Sequence, residues 1–125
     1  MGHVRLNIKV KRRSCWTMFD TGSRNTYVNR DVAKLLPTSN APEPRKVGLG
    51  GAVRTITRTA ILKAKVDGHS VDTHAWVVDD IGKDEDGKPI EVLFGALAMQ
   101  QWGIRPIPDE ERLDLTHYPT AFVEY

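Results

Sequence analysis

The sequence of 125 residues contains one cysteine, Cys15, and no apolar run long enough to cross a bilayer. A lone cysteine excludes an intrachain disulfide and fits a reducing compartment, and no neighbouring residue supports a catalytic role for it. The first ten residues lack the charged-then-apolar layout of a signal peptide. We therefore expect a cytoplasmic protein without a membrane partner.

An excess of charge of one sign is also missing, since 18 basic and 16 acidic residues leave a net charge of +2. The basic cluster KVKRR (residues 9–13) could contact phosphates, but it also suits the solvated end of a first strand and its turn. No aromatic residues are interleaved along a basic groove, so we expect no nucleic-acid partner. With 40% hydrophobic and 27% charged residues, the chain is expected to fold as one domain, residues 1–125.

Motifs for metals and phosphates are absent as well. The acidic stretch DDIGKDEDGKP (residues 79–89) fails the residue pattern of a calcium loop and is expected to be a solvated connection. His69 and His74 are five residues apart on one predicted strand and therefore point to opposite faces. The glycines of KVGLGG (residues 46–51) are not followed by Gly-Lys-Ser/Thr or by a helix. We expect no metal and no cofactor.

Alternating apolar residues predict strands over much of the chain. In VRLNIKV (residues 4–10) every second residue is apolar, which is typical of a half-buried strand, and CWTMF (residues 15–19) follows as a second strand. The clearest prediction is a hairpin over residues 58–78, whose Asp67-Gly68 turn sets the register. The predicted pairs are Val66 with His69, Ala64 with Val71, Lys63 with Asp72, Leu62 with Thr73 and Ala60 with Ala75.

Two short helices and one loop are also predicted. The stretch NRDVAKLLP is typical of a helix of one to two turns that Asn29 caps and Pro37 ends. The stretch ALAMQQW (residues 96–102) predicts a second helix, which ends at Gly103. PTSNAPEP (residues 37–44) has three prolines and no periodicity, so it predicts a loop. Further short strands are expected at residues 26–28, 90–95, 112–115 and 120–125.

The least ordinary stretch is MFDTGS (residues 18–23), in which an acid follows two large apolar residues. Burying an ionised carboxylate without a partner is costly, so the position of Asp20 directly after Met18 and Phe19 needs a reason. Asp and Gly both favour turns, and Asp20 could simply begin a turn at the end of a strand. Alternatively, the site requires a carboxylate in a poorly solvated place.

Three features of the sequence follow one another in a recognisable order. An apolar strand ends in Asp20-Thr21-Gly22-Ser23, a glycine-tipped hairpin VGLGGAV (residues 47–53) comes next, and Leu93-Phe94-Gly95 leads into a short helix. Up to about Leu115 this order resembles the single-domain, retropepsin-like aspartic proteases. The strand followed by a helix in DTGSRNTYVNRDVAKLL (residues 20–36) looks closer to their soluble bacterial and archaeal relatives than to the viral enzymes. The resemblance implies an all-β fold, a retropepsin-like closed barrel or acid protease half-fold, with two short helices.

The resemblance also implies a reaction, namely peptide-bond hydrolysis by an aspartic endopeptidase. Two carboxyl groups about 3 Å apart share one proton, so that one takes a proton from water while the other supports the carbonyl oxygen. Only one such motif exists here, because Asp67-Gly68 lacks the middle residue and Asp72-Thr73-His74 lacks the glycine. The implied enzyme is therefore a homodimer with one Asp20 from each copy, kept dry by Met18 and Phe19.

Roles for other residues come from the same resemblance. Thr21 would hydrogen-bond across the dimer axis, Gly22 would permit close backbone approach, and Gly95 would let the strand before it pass behind the catalytic loop. The glycine-tipped hairpin would be a flap that closes over a peptide or unfolded protein substrate. The predicted catalytic residues are Asp20, Thr21 and Gly22, and the predicted substrate-binding residues are Ser23, Gly48, Leu49, Gly50, Gly51 and Gly95.

Some residues depart from the family pattern. Phe94 is bulkier than the usual aliphatic residue at its position, and the tail over residues 116–125 carries Pro119, which leaves its part in a dimer open. The same fold could instead serve as a non-catalytic module that binds an extended peptide by strand addition or mediates dimerisation. A nucleic-acid-binding β-domain that uses residues 9–13 is a third, weaker alternative.

Overall fold

The computed structural model describes residues 3–122, and strands dominate this part of the chain. The strands are β1 (His3–Val10), β2 (Arg13–Asp20), β3 (Tyr27–Asn29), β4 (Thr38–Leu49), β5 (Ala52–Val66), β6 (His69–Val78), β7 (Val92–Phe94), β8 (Arg105–Ile107) and β9 (Arg112–Asp114). The helices are α1 (Arg30–Ala33) and α2 (Ala96–Trp102), with one 3-10 turn at Pro108–Glu110. The predicted all-β class with two short helices is confirmed.

Seven strands form one sheet in the order β1-β2-β7-β3-β6-β5-β4. One further pairing, between Lys9 of β1 and Lys65 of β5, joins the sheet back on itself. Six strands thus close into a ring, which agrees with the predicted barrel and removes the exposed edges that an open sheet would have. Strand β4 lies outside this ring, at the edge, and β8 pairs with β9 in a small separate sheet.

The first two strands and the following helix have the pattern that the sequence predicts. Val4, Ile8 and Val10 of β1 are buried, and β2 pairs with β1 in antiparallel register. Asn29 caps α1, since its side-chain oxygen accepts a hydrogen bond from the Val32 N–H at 3.0 Å. Helix α1 makes only one turn and ends at Ala33, before the end that the sequence predicted at Pro37.

The predicted β-hairpin is confirmed pair by pair, since all five predicted pairs occur between β5 and β6. Asp67 and Gly68 have φ angles of 48° and 81°, so both central residues of the turn are left-handed. Such a turn matches the right-handed twist of the two strands, which is why Asp-Gly predicts it. The alternation then buries one face of β5, comprising Ala60, Leu62, Ala64 and Val66.

The prediction of a loop over residues 37–44 was wrong, because β4 already begins at Thr38. The pairing of β4 with β5 shifts register between Asn40 and Arg45, and both Pro42 and Pro44 fall within this irregular part. An edge strand tolerates prolines at bulges, where no ladder hydrogen bond is required of them. Most side chains of β4 are exposed on both faces, so no apolar period could reveal the strand.

The C-terminal part of the chain was predicted in part. Helix α2 ends at Gly103 as expected, and β9 coincides with the predicted strand at residues 112–115. Strand β8 was not predicted. Of the last predicted strand, residues 120–122 are not in a strand, and residues 123–125 lie outside the described residues. Over residues 3–122, no helix combines the length and apolar character that crossing a bilayer requires.

The acidic connection over residues 79–89 is mostly exposed, as predicted, but Asp84 within it is buried. One carboxylate oxygen accepts hydrogen bonds from the N–H groups of Asp86 and Lys88, and the other accepts one from the Trp16 indole N–H, each at 2.9 Å. The Lys88 N–H above all, followed by the Trp16 indole, holds the pKa of Asp84 below its ordinary value. This side chain therefore organises the connection.

Replacement of Asp84 by asparagine should lower the melting temperature by several degrees at pH 7, because an amide N–H₂ would face either the Trp16 donor or the two backbone donors. The depressed pKa adds a pH dependence. The carboxylate stabilises the fold above the ordinary value of about 3.9, and this contribution disappears as pH falls through the lower folded-state pKa. Thermal unfolding at pH 7 and pH 3 measures both effects.

Asp80→Asn is the matched control for this experiment, since Asp80 is exposed and its Oδ1 accepts the Gly82 N–H, a role that an amide oxygen keeps. We expect little change for it at either pH. Equal melting temperatures for the two variants at pH 7 would contradict the role given to Asp84.

Candidate active site

The Asp20 turn is built at the end of β2, whose last residue is Asp20. The Gly22 N–H donates to the Asp20 carboxylate at 2.8 Å, and the Ser23 N–H donates to the Asp20 carbonyl oxygen at 3.1 Å. Asp20 is half-buried, whereas Thr21 and Gly22 are exposed. Both alternatives that the sequence left open are therefore present, because Asp20 begins a turn and is also partly withdrawn from water.

The two apolar residues before Asp20 lie on different faces of β2. Side chains alternate along a strand, so Met18 shares a face with Asp20 and Phe19 points the other way. Phe19 is fully buried inside the barrel, where its ring centroid is 4.9 Å from that of Phe94. The expectation that both residues shield Asp20 therefore holds only for Met18, while Phe19 anchors the strand from behind. The bulk of Phe94 is accounted for by this ring contact.

Gly95 lies directly behind the Asp20 turn, as predicted. Strand β7 runs parallel to β2, and Gly95, its next residue, donates its N–H to the Thr26 hydroxyl at 3.0 Å. A Cβ atom on Gly95 would lie 2.5 Å from the Asn25 carbonyl carbon and 2.9 Å from the Arg24 carbonyl oxygen. Only a glycine fits this approach of two backbone segments.

The same segment is tied to the start of α2. The Ala96 N–H donates to the Ser23 carbonyl oxygen at 2.6 Å, and the Leu97 N–H donates to the Arg24 carbonyl oxygen at 3.1 Å. The Ser23 hydroxyl donates to the Asn25 carbonyl oxygen at 2.9 Å. Ser23 and Gly95, two predicted substrate-binding residues, are therefore brought together in the support of the turn.

The hairpin that the sequence predicts as a flap is the turn between β4 and β5. The last pair of the ladder is Leu49 with Ala52, and Gly50 and Gly51 have φ angles of 56° and 81°. Both positions are left-handed, which explains the two glycines. Leu49 is buried, with 8% of its surface exposed, whereas Val53 is 73% exposed. The hairpin therefore turns one side inward and presents the other to solvent.

Leu49 packs into a cluster of apolar residues that we call the flap-side cluster. Its buried members are Tyr27, Leu49, Ile56, Val78, Ile81, Ile90 and Leu93, and Met18, Val47 and Trp76 pack against them. Because Met18 packs against the cluster that contains Leu49, the predicted flap packs on the same face of β2 that carries Asp20. The predicted flap and the predicted catalytic turn are therefore on one side of the molecule.

Two residues of this region escaped the sequence analysis. Thr26 is buried and accepts the Gly95 N–H, and its only signal was a hydroxyl at the start of a short apolar strand. Burial raises the pKa of Tyr27, whose ring meets that of Trp76 edge-on at 5.7 Å. Thr26 contacts Gly95 and Tyr27 contacts Trp76, and both partners are distant in sequence. A local sequence pattern does not predict such contacts.

Within residues 3–122, we considered a reactive cysteine and a metal cluster as alternatives to a carboxylate site. Burial raises the pKa of the Cys15 thiol to about 11, so this residue is a poor nucleophile near neutral pH. In the part of the chain that the structure describes, no three or more His, Cys, Asp or Glu side chains group as a metal site would need. Asp20 supplies the only carboxylate of the turn over residues 20–23.

A sequence profile described as aspartyl protease matches residues 5–97 of the chain. This match spans most of the sequence. The chain belongs to the aspartyl protease family. The matched segment contains the Asp20 turn, the predicted flap and Gly95, whereas β8, β9 and the tail lie outside it. Membership of the aspartyl protease family suggests peptidase activity in general terms.

Solved structures show that this aspartyl protease family member has a retropepsin-like fold. The retroviral protease-like domain of Ddi1 from Leishmania major is 11% identical, with a TM-score of 0.65 over 93% of this chain and 90% of that one. A foamy viral protease–reverse transcriptase in complex with an RNA/DNA hybrid is 15% identical, with a TM-score of 0.57. The latter match covers 86% of this chain but only 13% of the viral protein. No curated protein sequence matches significantly.

Proposed function

We propose that the protein is an aspartic endopeptidase whose active site forms between two copies of the chain. The observation that carries the proposal is the Asp20 turn, in which a half-buried carboxylate accepts a hydrogen bond from the Gly22 N–H on the face of β2 that also carries Met18 of the flap-side cluster. Membership of the aspartyl protease family supports peptidase chemistry. The single Asp-Thr-Gly sequence supports a site that two chains share.

The proposed reaction uses the two Asp20 carboxyl groups in different protonation states. The ionised one takes a proton from a water molecule, whose oxygen attacks the peptide carbonyl carbon, while the protonated one donates to the carbonyl oxygen. The tetrahedral intermediate then collapses, the C–N bond breaks, and a proton passes to the leaving nitrogen. Activity therefore needs one shared proton and falls at both more acidic and more alkaline pH.

The residues around Asp20 take supporting roles in this proposal. Thr21 and Gly22 are exposed at the top of the turn, where a second copy of the turn would meet them across the two-fold axis. Leu97, at the start of α2, is 50% exposed and hydrogen-bonded to the segment that follows the turn, so it offers apolar area to the same contact. The flap would close over the substrate and exclude water.

The proposed substrate is a polypeptide in an extended conformation. A hairpin that lies over a shallow apolar surface can hold such a chain by main-chain hydrogen bonds, with side-chain preference set by the pockets below. Met18, Val47 and Trp76, the partly buried residues that pack against the flap-side cluster, supply apolar side chains to that surface, so we expect apolar residues next to the scissile bond. The proposal places the enzyme in the cytoplasm.

The shared site predicts that activity depends on dimer formation. We expect cleavage of an unfolded, apolar peptide at mildly acidic pH, with a rate per chain that rises with enzyme concentration until dimerisation is complete. Sedimentation equilibrium over the same concentrations gives the dimer fraction, and the two curves should superimpose.

Two results would count against this proposal. A rate per chain that stays constant while the protein is monomeric would mean that one chain holds a complete site. A stable dimer that cleaves no member of a diverse peptide library at any pH, yet binds some of its members, would favour the non-catalytic peptide-binding module.

A further inference from the structure

A second concave surface lies at the opposite end of β2 from Asp20. A cavity of about 880 Å³ is bordered by the β1–β2 turn, the segment after α1, and the β5–β6 hairpin. A smaller cavity of about 460 Å³ adjoins it and shares Lys11 and Leu35 with it. We call the two together the basic groove. Strand β2 has eight residues from Arg13 to Asp20, so its seven steps of about 3.3 Å place the groove roughly 23 Å from the Asp20 turn.

The walls of the basic groove carry cations from several separate segments. Its lysines are Lys9, Lys11, Lys34, Lys63 and Lys65, and the smaller cavity adds Arg12 and Arg13. The only carboxylate among the lining residues is Asp72. The chain as a whole has a net charge of only +2, so this surface concentrates positive charge well beyond the average.

Most of these lysines have no ion-pair partner within residues 3–122. Lys34 lies 3.6 Å from Asp31, and Lys9 donates to the Ser14 hydroxyl, whereas Lys63 and Lys65 form no ion pair in this range. Lys9 and Lys65 are moreover direct cross-strand partners at the seam that closes the barrel. Like charges in directly opposed positions repel, and a bound anion between them would relieve this repulsion.

The floor of the basic groove is apolar, which limits the kind of anion that fits it. Leu35, Leu36, Pro37 and Val71 line it together with Trp102. The Trp102 indole N–H already donates to the Asp72 carbonyl oxygen at 2.7 Å, so its polar atom has a partner inside the protein. A ligand that satisfied only the lysines would leave this apolar floor in contact with water.

We propose that the basic groove binds an acidic polypeptide segment of a partner protein, in which carboxylate side chains contact the lysines and apolar side chains cover the floor. The spread of the cations over β1, the segment after α1, and β5 matches several carboxylates along a chain better than one small anion. Nucleic acid fits less well, because Trp102 is the only aromatic lining residue and base stacking needs a series of aromatic faces.

Fluorescence anisotropy with a labelled peptide of alternating Glu and Leu residues tests this inference. The full chain should be used as its Asp20→Asn variant, so that cleavage does not interfere and the result does not depend on the proposed peptidase activity. We expect the double variant Lys63→Glu, Lys65→Glu to bind about tenfold more weakly, since two attractive charges become repulsive. A peptide with Ser in place of Leu should also bind more weakly.

The matched control is the double variant Arg45→Glu, Lys46→Glu, which makes the same charge change at exposed positions of β4 outside the groove. It should retain affinity within about twofold, because exposed charges beyond a Debye length are largely screened. The Lys65→Glu change gives Lys9 an opposite-charge partner, whereas the Lys63→Glu change places a second carboxylate opposite Asp72. The two effects oppose each other, so we expect the melting temperatures of both double variants to stay within a few degrees of the parent's.

Three outcomes would overturn the inference. Equal losses of affinity in the two double variants would mean that only net charge attracts the peptide. If a single-stranded RNA oligonucleotide bound more tightly than the peptide, and the Lys63→Glu, Lys65→Glu variant lost this binding, the surface would be a nucleic-acid site. If the solution mass of the parent rose with concentration and that of the Lys63→Glu, Lys65→Glu variant did not, the basic groove would be a contact between copies of this chain.

Discussion

The Asp20→Asn variant is expected to hydrolyse peptides more slowly by a factor on the order of 10³ or more, because it loses the group that exchanges the proton with water. The fold should persist. An asparagine keeps a side-chain oxygen, which can still accept the Gly22 N–H that now donates to the carboxylate at 2.8 Å. Initial rates on an apolar peptide, together with the melting temperature, separate the loss of chemistry from a loss of structure.

Asp31→Asn makes the same chemical change at an exposed position of α1 and should leave the rate unchanged. Retention of activity by Asp20→Asn would exclude Asp20 as the proton carrier. A rate lost in parallel with a large fall in melting temperature would assign the residue to folding instead.

A mixing experiment tests whether two copies of Asp20 act together. When wild-type chains exchange freely with a tenfold excess of Asp20→Asn chains, random pairing leaves about one wild-type chain in eleven with a wild-type partner. The measured rate should therefore fall by roughly tenfold, although the amount of wild-type protein is constant. If each chain contained a complete site, mixing would leave the rate unaltered.

Replacement of Gly95 by alanine should have the largest effect on stability. The added Cβ would lie 2.5 Å from the Asn25 carbonyl carbon, and real Cβ atoms essentially never come within 3.0 Å of another heavy atom. The neighbouring atoms belong to the backbone and cannot rotate away, so β7 or the segment after the Asp20 turn must move. We expect a loss of about 3 kcal/mol, which lowers the melting temperature by roughly 10 °C.

Gly48→Ala provides the comparison, because a Cβ atom at Gly48 would meet no heavy atom within 4 Å and its backbone is not left-handed. Its melting temperature should change by no more than a few degrees. If the Gly95 and Gly48 variants melted alike, the close approach of the two backbone segments would not exist in solution.

The elements best predicted from the sequence are those whose signal is local. The Asp67-Gly68 turn and the alternation on either side of it set the β5–β6 register, and both depend on residues adjacent in the chain. The cap at Asn29 and the end of α2 at Gly103 are local in the same way. The first half of strand β4 was missed because it is an edge strand with prolines and little burial, so its pairing with β5 leaves no period in the sequence.

The same distinction between local and long-range signals applies to the candidate site. The sequence alone identified the Asp-Thr-Gly motif, the glycine-tipped hairpin and the glycine after Phe94, because residue types in order are a property of the chain. The sequence analysis expected both Met18 and Phe19 to shield Asp20 from water, whereas the alternation of β2 places the two side chains on opposite faces.

By itself, then, the sequence determined the all-β class, the main turns, the hairpin register and the motif that places the chain near the aspartic proteases. Only the tertiary structure decided that Phe19 is buried against Phe94, that Asp84 is buried against Trp16, and that lysines from separate segments form one groove. The physical reason is the separation in sequence between the residues that interact. Turns and alternation arise between near neighbours in the chain, whereas backbone approach, burial and surface charge arise from packing between segments far apart in it.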